Sequence, residues 1–376
     1  MEIQSMSRRA IRASGFIALL AAAALVAAGC AHVTGRSGTP PRNVILMIGD
    51  GMGTAHVTAA KVVAGRLEME RLPVGGFVTT HPHGQFITDS AASGTAFATG
   101  EKTYNGAISV SPSKEPLRTV LEHAEERGMA TGLVVTCSVT HATPAVFAAH
   151  VDSRQKDNEI AKQMASSGVD VLFGGGRSFF LPRRLSGARD DDEDLLEALR
   201  LRMSVALSAG EFRMLGDVEA AAALLSSEHP PPVGTRDPPL NELTEKALEI
   251  LSRDEDGFFL MVEGSQIDWA GHENDHEWLV AETIDFDRAV GVVMDFAERN
   301  PGTLVVVTAD HETGGYALLD GSIERKALSN PHFGCDDHTA TMVPLLAYGP
   351  GSESLGGILD NTEIGRALIG FVQGGP

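Results

Sequence analysis

The chain has 376 residues, 43% of them hydrophobic and 21% charged, which is ordinary globular composition with enough length for a large buried core and argues against general disorder. Fifty acidic residues against thirty basic ones give a formal charge of −20. That balance excludes a general nucleic-acid-binding surface, which needs a basic face, and any anionic substrate must be drawn in by local cations.

Residues 1–29 read as an export signal. Arg8, Arg9 and Arg12 precede the apolar run "GFIALLAAAALVAAG", which ends in small residues before Cys30. The run is short for a spanning helix. "LVAAGC" resembles a bacterial lipoprotein signal in which Cys30 becomes the lipid-modified first residue; ordinary cleavage nearby is the alternative, and "SRRAIR" matches a twin-arginine signal only in part. The expected location is therefore periplasmic or on the cell envelope. Residues 30–42 are polar, small and Pro-containing, a tether, and 43–376 form the folded domain.

"NVILMIGDGMG" at 43–53 is an apolar run ending in Gly-Asp-Gly, the pattern of a strand buried on both faces, and "TAHVTAAKVVAG" after it is a helix stopped by Gly65. Next comes "GQFITDSAASGTAFATG" at 84–100, where Asp89 and Ser90 head a run of small residues. A helix starting there aims free N–H groups at Ser90, which suits an anion; simple helix capping is the alternative. "ATGLVVTCSVTHATP" repeats the buried strand and runs out into Thr and His, with Cys137 expected as a buried, inert thiol. Cys137 and Cys335 are the only cysteines after Cys30, so one disulfide is left open.

The stretch 177–240 is acidic, then Pro-rich, and carries no buried-strand signal; it reads as a peripheral insertion on the same domain. "GFFLMVEGSQIDWAGHEND" is another strand, followed by a long helix over 276–299, and "TLVVVTADHETGG" and "MVPLLAYGP" complete the buried strands. The alternation predicts an α/β fold: a central, mostly parallel sheet with helices on both faces.

In such a sheet ligands bind beyond the carboxyl ends of the strands. Asp50, Glu263, Asp310 and His311 all stand there, His338 opens the last strand segment, and Asp268 and His272 are four apart on one helical face. Imidazole with carboxylate suits zinc, whereas oxygen-only sets suit magnesium. A serine hydroxyl needs a base or a metal to become nucleophilic, and Ser90 lacks the G-x-S-x-G elbow. Metal activation of Ser90, with a second ion at the leaving oxygen, is the requirement of phosphoryl transfer.

With these motifs in this order, the chain resembles the alkaline phosphatases from Asn43 to the C-terminus. The resemblance implies a phosphomonoester hydrolase with two zinc ions and one magnesium. It makes Ser90 of "TDSAAS" the nucleophile and zinc ligand, Asp89 the residue orienting an arginine, and Arg154 of "AHVDSR" the phosphate clamp. It gives Asp268, His272 and His338 to the first zinc, Asp50, Asp310 and His311 to the second, and Asp50, Thr143 and Glu263 to the magnesium site. Two neighbouring positions depart from the enterobacterial pattern of Asp and Lys: they are His141 and Trp269. Imidazole in place of carboxylate favours a nitrogen-preferring metal at the third site, and loss of the Lys weakens phosphate binding. Phosphate monoesters are the implied partners. Family members are commonly homodimers, although no interface is legible here. A phosphodiesterase on the same core and a non-catalytic metal- or phosphate-binding lipoprotein are the rival readings.

Overall fold

The computed structural model describes residues 40–375. The expected signal, Cys30 and most of the tether lie outside the described residues. No helix among those described is long and apolar enough to cross a membrane.

The chain opens with strand β1 (Asn43–Gly49), every residue of which is buried, and helix α1 (Thr54–Ala64), which ends at Gly65. It continues through β2 (Val74–Thr79), α2 (Ser90–Thr99), α3 (Val120–Glu126), β3 (Ala130–Ser138), α4 (Ala142–Ala148), α5 (Asp157–Ser166) and β4 (Val171–Gly175). Next come α6 (Leu195–Arg200), β5 (Ser204–Ala206), α7 (Ala209–Arg213), β6 (Ala221–Leu224), α8 (Leu240–Leu251), β7 (Phe258–Gly264), α9 (Gln266–His272) and α10 (His276–Arg299). The last part holds β8 (Thr303–Thr308), β9 (Glu312–Thr313), β10 (Ala317–Ser322), β11 (Ala327–His332), β12 (His338–Thr339), β13 (Val343–Tyr348), β14 (Gly357–Asp360) and α11 (Asn361–Val372).

Ten strands form one sheet in the order β14-β2-β13-β8-β1-β7-β3-β4-β6-β5. All neighbours are parallel except β13, which runs against both β2 and β8. The central strands β8, β1 and β7 are buried throughout, as their uninterrupted Val, Ile, Leu, Met and Phe require when both faces are covered. The helices fall into two packed groups, α1 with α8 and α10, and α2 with α3, α4 and α11. This is the expected mostly parallel α/β sheet.

Three expectations need correction. The 177–240 stretch is not wholly peripheral, because β5 and β6 inside it extend the main sheet beyond β4. Its strand "AAAL" escaped notice because Ala has low β-propensity; β4 and β5 on either side hold it in the sheet. β13 alternates buried and half-buried residues, so only one of its faces is fully covered. His338 does not open that strand: it lies in β12, which pairs with β9 as a separate two-stranded ribbon.

Candidate active site

Three adjacent strands deliver acidic groups to one end of the sheet. Glu263 sits in β7 beside Ile48 of β1, and Ile48 in turn pairs with Thr308 of β8. Asp50 follows β1, and Asp310 with His311 follows β8. The parallel register therefore places all of these at the same carboxyl edge, and all four are fully buried. Gly51 holds φ +72°, and a Cβ there would come 2.7 Å from Thr313 Oγ1. Only glycine lets the turn after Asp50 pass under the β9–β12 ribbon while its N–H donates to Asp310 Oδ1 at 3.1 Å.

Burial and mutual repulsion disfavour ionisation of these carboxyls. Asp50 is raised well above its ordinary value by burial and then by Asp310; Glu263 is pushed up to about 8, and Asp310 to about 6, by burial first. Both oxygens of Asp50, Oε1 of Glu263, Oδ2 of Asp310 and the Thr143 hydroxyl are buried without a hydrogen-bond partner among the described residues. Unpaired buried oxygens on this scale call for a cation.

A second group makes the same demand through nitrogen. His272 Nδ1 lies 2.7 Å from the Asp336 carbonyl and His338 Nδ1 lies 2.8 Å from the Thr88 carbonyl. A carbonyl only accepts, so both protons sit on Nδ1 and both Nε2 atoms carry lone pairs. Those two Nε2 atoms are 3.1 Å apart, and Asp268 Oδ1 lies 3.4 and 3.5 Å from them. Three acceptors thus face one point, which must hold either a proton or a metal. Without a metal the proton wins: although burial opposes it, the hydrogen bond to Asp268 pushes His338 up to about 9.

His311 joins the two groups. Its Nε2 is 3.4 Å from Asp50 Oδ1 and from Asp310 Oδ2, and its ring stacks on that of His338 at 3.6 Å. Donor atoms cluster as Asp268, His311 and His338, as Asp50, Asp310 and His311, and as Cys137, His141 and Glu263.

Ser90 opens α2 and is only 2% exposed, with its hydroxyl oxygen 3.3 Å from His311 Nε2. The run of small residues after it has a packing cause: a Cβ on Gly94 would already press on Val146 of α4 at 3.0 Å. Asp89 is indeed the helix cap, accepting from Ala92 N at 2.9 Å, but its other oxygen accepts from Gly106 N and from Arg154 Nη1, both at 3.0 Å. One carboxylate therefore fixes both the helix that carries the serine and the guanidinium beside it. Arg154 Nη2 lies 3.0 Å from His141 Nε2; because Arg can only donate, that nitrogen accepts. Burial, then the Arg154 charge, lowers His141 to about 3, so the ring is neutral.

Trp269 and His141 sit together, ring centroids 6.1 Å apart. His229 of the Pro-rich stretch, marked by no motif, packs on Trp269 at 4.7 Å and accepts from Ser138 N at 3.0 Å. Cys137 is the free, fully buried thiol expected, and its S–H donates to Glu263 Oε2 at 3.6 Å. Cys335 is free as well, so the disulfide is not formed.

Buried carboxylates and imidazoles that only cations can satisfy, gathered round a serine with an anchored guanidinium beside it, define a metal-dependent enzyme for anionic substrates. A family model described as alkaline phosphatase matches residues 41–330. The chain is 34% identical to alkaline phosphatase 3 of Bacillus subtilis, over 88% of this chain and 89% of that one, and 36% identical to streptomycin-6-phosphate phosphatase of Streptomyces griseus, over 95% of each. It superposes on the alkaline phosphatase of the Antarctic bacterium TAB5 with a TM-score of 0.83 at 36% identity, over 90% of this chain and 99% of that one. Variants of the TAB5 enzyme with one histidine replaced by Glu or Asp are described with magnesium bound in the M3 site. The chain belongs to the alkaline phosphatase family and is a metal-dependent phosphatase.

Proposed function

We propose that the protein hydrolyses phosphate monoesters through a phosphoserine formed on Ser90. The observation that carries this reading is the position of Ser90 Oγ, 3.3 Å from His311 at the edge of the buried carboxylates, with Arg154 fixed beside it by Asp89. Asp268, His272 and His338 would hold one zinc, and Asp50, Asp310, His311 and Ser90 a second. Asp50, Thr143 and Glu263 would contribute to a third, magnesium-type site. When bound, such ions lower the pKa of a hydroxyl or water and neutralise charge on the transferring group and leaving oxygen.

Within that setting the chain's own groups have distinct tasks. The planar fork of Arg154 binds two phosphate oxygens, a match that the point charge of Lys lacks. The N–H groups opening α2 add a favourable field at Ser90. Ser90 Oγ, its proton released to solvent, then attacks phosphorus in line as the bond to the ester oxygen breaks; that oxygen leaves as the alcohol after taking a proton from water, and a water cleaves the phosphoserine to inorganic phosphate, with Ser90 reprotonated. His141 remains neutral and accepts from Arg154, setting the plane of the fork. Export and a lipid anchor at Cys30 remain part of the proposal on the sequence pattern of residues 1–30.

The test is hydrolysis of p-nitrophenyl phosphate by the full chain before and after chelation, then after zinc and magnesium are restored. Turnover should disappear and return, and Ser90→Ala should abolish it while leaving bound metal largely unchanged. Turnover by Ser90→Ala would end the nucleophile assignment. Faster cleavage of the matched nitrophenyl diester than of the monoester would favour the diesterase, and full metal loading without turnover would favour a binding protein.

A further inference from the structure

We propose that the hollow beside His272 receives the alcohol part of the substrate and selects phosphate monoesters whose alcohol carries an alkylammonium group. The inference rests on the phosphatase reading above and adds a substrate class to it.

The hollow lies at the corner between α9 and α10. It has a volume of about 650 Å³ and is lined by Trp269, His272, Glu273, Asp275 and Trp278, a size that suits a small organic group. Asn274 turns the chain there with φ +53°, so the end of one helix and the start of the next supply both walls. Each indole is held before any ligand arrives. Trp278 Nε1 donates to Glu282 Oε1 at 3.0 Å, and Glu282, only 2% exposed, is itself fixed by Arg236 Nη2 at 2.7 Å. Trp269 packs edge-on against His229 and His141, with ring centroids 4.7 and 6.1 Å away. Walls already ordered in this way lose little entropy on binding.

The charge of the lining names the ligand. Glu273 and Asp275 are exposed, neither is paired with a Lys or Arg among the described residues, and no Lys or Arg lines the hollow. Asp275 Oδ1 accepts from Trp278 N at 3.0 Å as the cap of α10, which leaves Oδ2 for a ligand. Two carboxylates repel the phosphate end of a substrate, whereas indole faces and carboxylates together attract an ammonium. The position suits the departing alcohol. His272 is more exposed than His338, 35% against 11% for the side chains, so the hollow adjoins their shared site from the solvent side. In the reading above Ser90 attacks in line from beside His311, and the alcohol leaves on the far side of phosphorus, towards the His272 group. Phosphate at Arg154 and ammonium at the hollow thus fix the two ends of one substrate.

The full chain, loaded with zinc and magnesium, is assayed with phosphocholine and with 3,3-dimethylbutyl phosphate, its uncharged carbon analogue. The parent is compared with the double variant Glu273→Gln, Asp275→Asn, in which Asn keeps an oxygen for the cap. The ammonium activates the leaving alcohol equally in both proteins, so the change in the ratio of the two kcat/KM values reports the hollow alone. The preference for phosphocholine should fall roughly tenfold in the double variant, with kcat for p-nitrophenyl phosphate within about twofold of the parent. A fall smaller than about threefold would overturn the proposal. Both tryptophans of the chain line the hollow, so indole fluorescence reports its occupancy without turnover. Choline should change that fluorescence in the parent and do so more weakly in the double variant; an equal response to 3,3-dimethylbutanol would overturn the proposal. A choline response that depends on the two carboxylates, in a protein that turns over no ester, would leave the hollow standing and remove the phosphatase reading.

Discussion

Replacing Asp89 separates two things that this one carboxylate does. Asp89→Ala removes the cap of α2, worth about 1 kcal/mol, and leaves the Gly106 N–H without its acceptor, worth about another 1 kcal/mol. Unfolding in urea should therefore lose about 2 kcal/mol. Asp89→Asn keeps an oxygen for Ala92 N, so the cap survives, but its amide turns N–H groups toward Gly106 N and Arg154 Nη1, both of which are donors. A charge-assisted contact is worth about 1.5–3 kcal/mol, so kcat/KM for p-nitrophenyl phosphate should fall roughly 10- to 100-fold in both variants. Loss of a negative charge near an incoming phosphate acts the other way, but through water that is worth less than about 1 kcal/mol, so the loss of positioning wins. Stability and catalysis should thus part company: Asp89→Ala weak in both, Asp89→Asn weak mainly in catalysis. Parental kcat/KM in Asp89→Asn would refute the claim that this contact positions Arg154.

Three other outcomes are expected. Because burial raises the Glu263 carboxyl from 4.5 to about 8, the folded metal-free protein binds a proton that the unfolded chain has released, and its stability should fall as pH rises across that window. Melting curves of chelated Glu263→Gln should be flatter there, with a higher midpoint at the alkaline end; equal slopes would count against the buried charge. His150 bonds Glu122 at 3.0 Å, and although burial opposes it this contact raises the imidazole above 6.5. The resulting stabilisation is present below 6.5 and lost as pH rises through the folded value, so His150→Gln should cost up to about 1 kcal/mol under acidic conditions and little at about pH 9. The double variant His141→Asp, Trp269→Lys should bind inorganic phosphate more tightly than the parent by calorimetry; unchanged affinity would mean that those two positions do not set it.

Much of the site was legible because its chemistry interrupts strong apolar patterns. Asp50, Glu263 and Asp310 stand out at the ends of strands that are otherwise Val, Ile, Leu, Met and Phe, and the parallel topology needs only that alternation to gather them. The four-residue spacing of Asp268 and His272 survives as one face of α9. What escaped is what tertiary context alone decides. "AAAL" is a strand because β4 and β5 flank it, and His338, itself legible as a ligand, is carried by a ribbon too short to have a period. His229 arrives from a loop whose Pro residues signal irregular backbone but not its destination. Cys137 was legible as a buried core thiol but its contact with Glu263 was not, because a strand pattern says that two residues share a face without saying what the facing strand carries.

The strand order also governs when, during synthesis, this site can exist. β2, near the start of the domain, pairs among the described residues with β13 and β14, made some 270 positions later. The helix that carries Ser90 follows β2 and packs on α11, residues 361–372. A nascent chain can assemble β1, β3, β7 and β8, yet it cannot supply His338 or seat Ser90 until β12 to α11 have emerged. Long-range pairing of this kind is slow to form. Turnover thereby reports synthesis through α11, and a product truncated before β13 is silent.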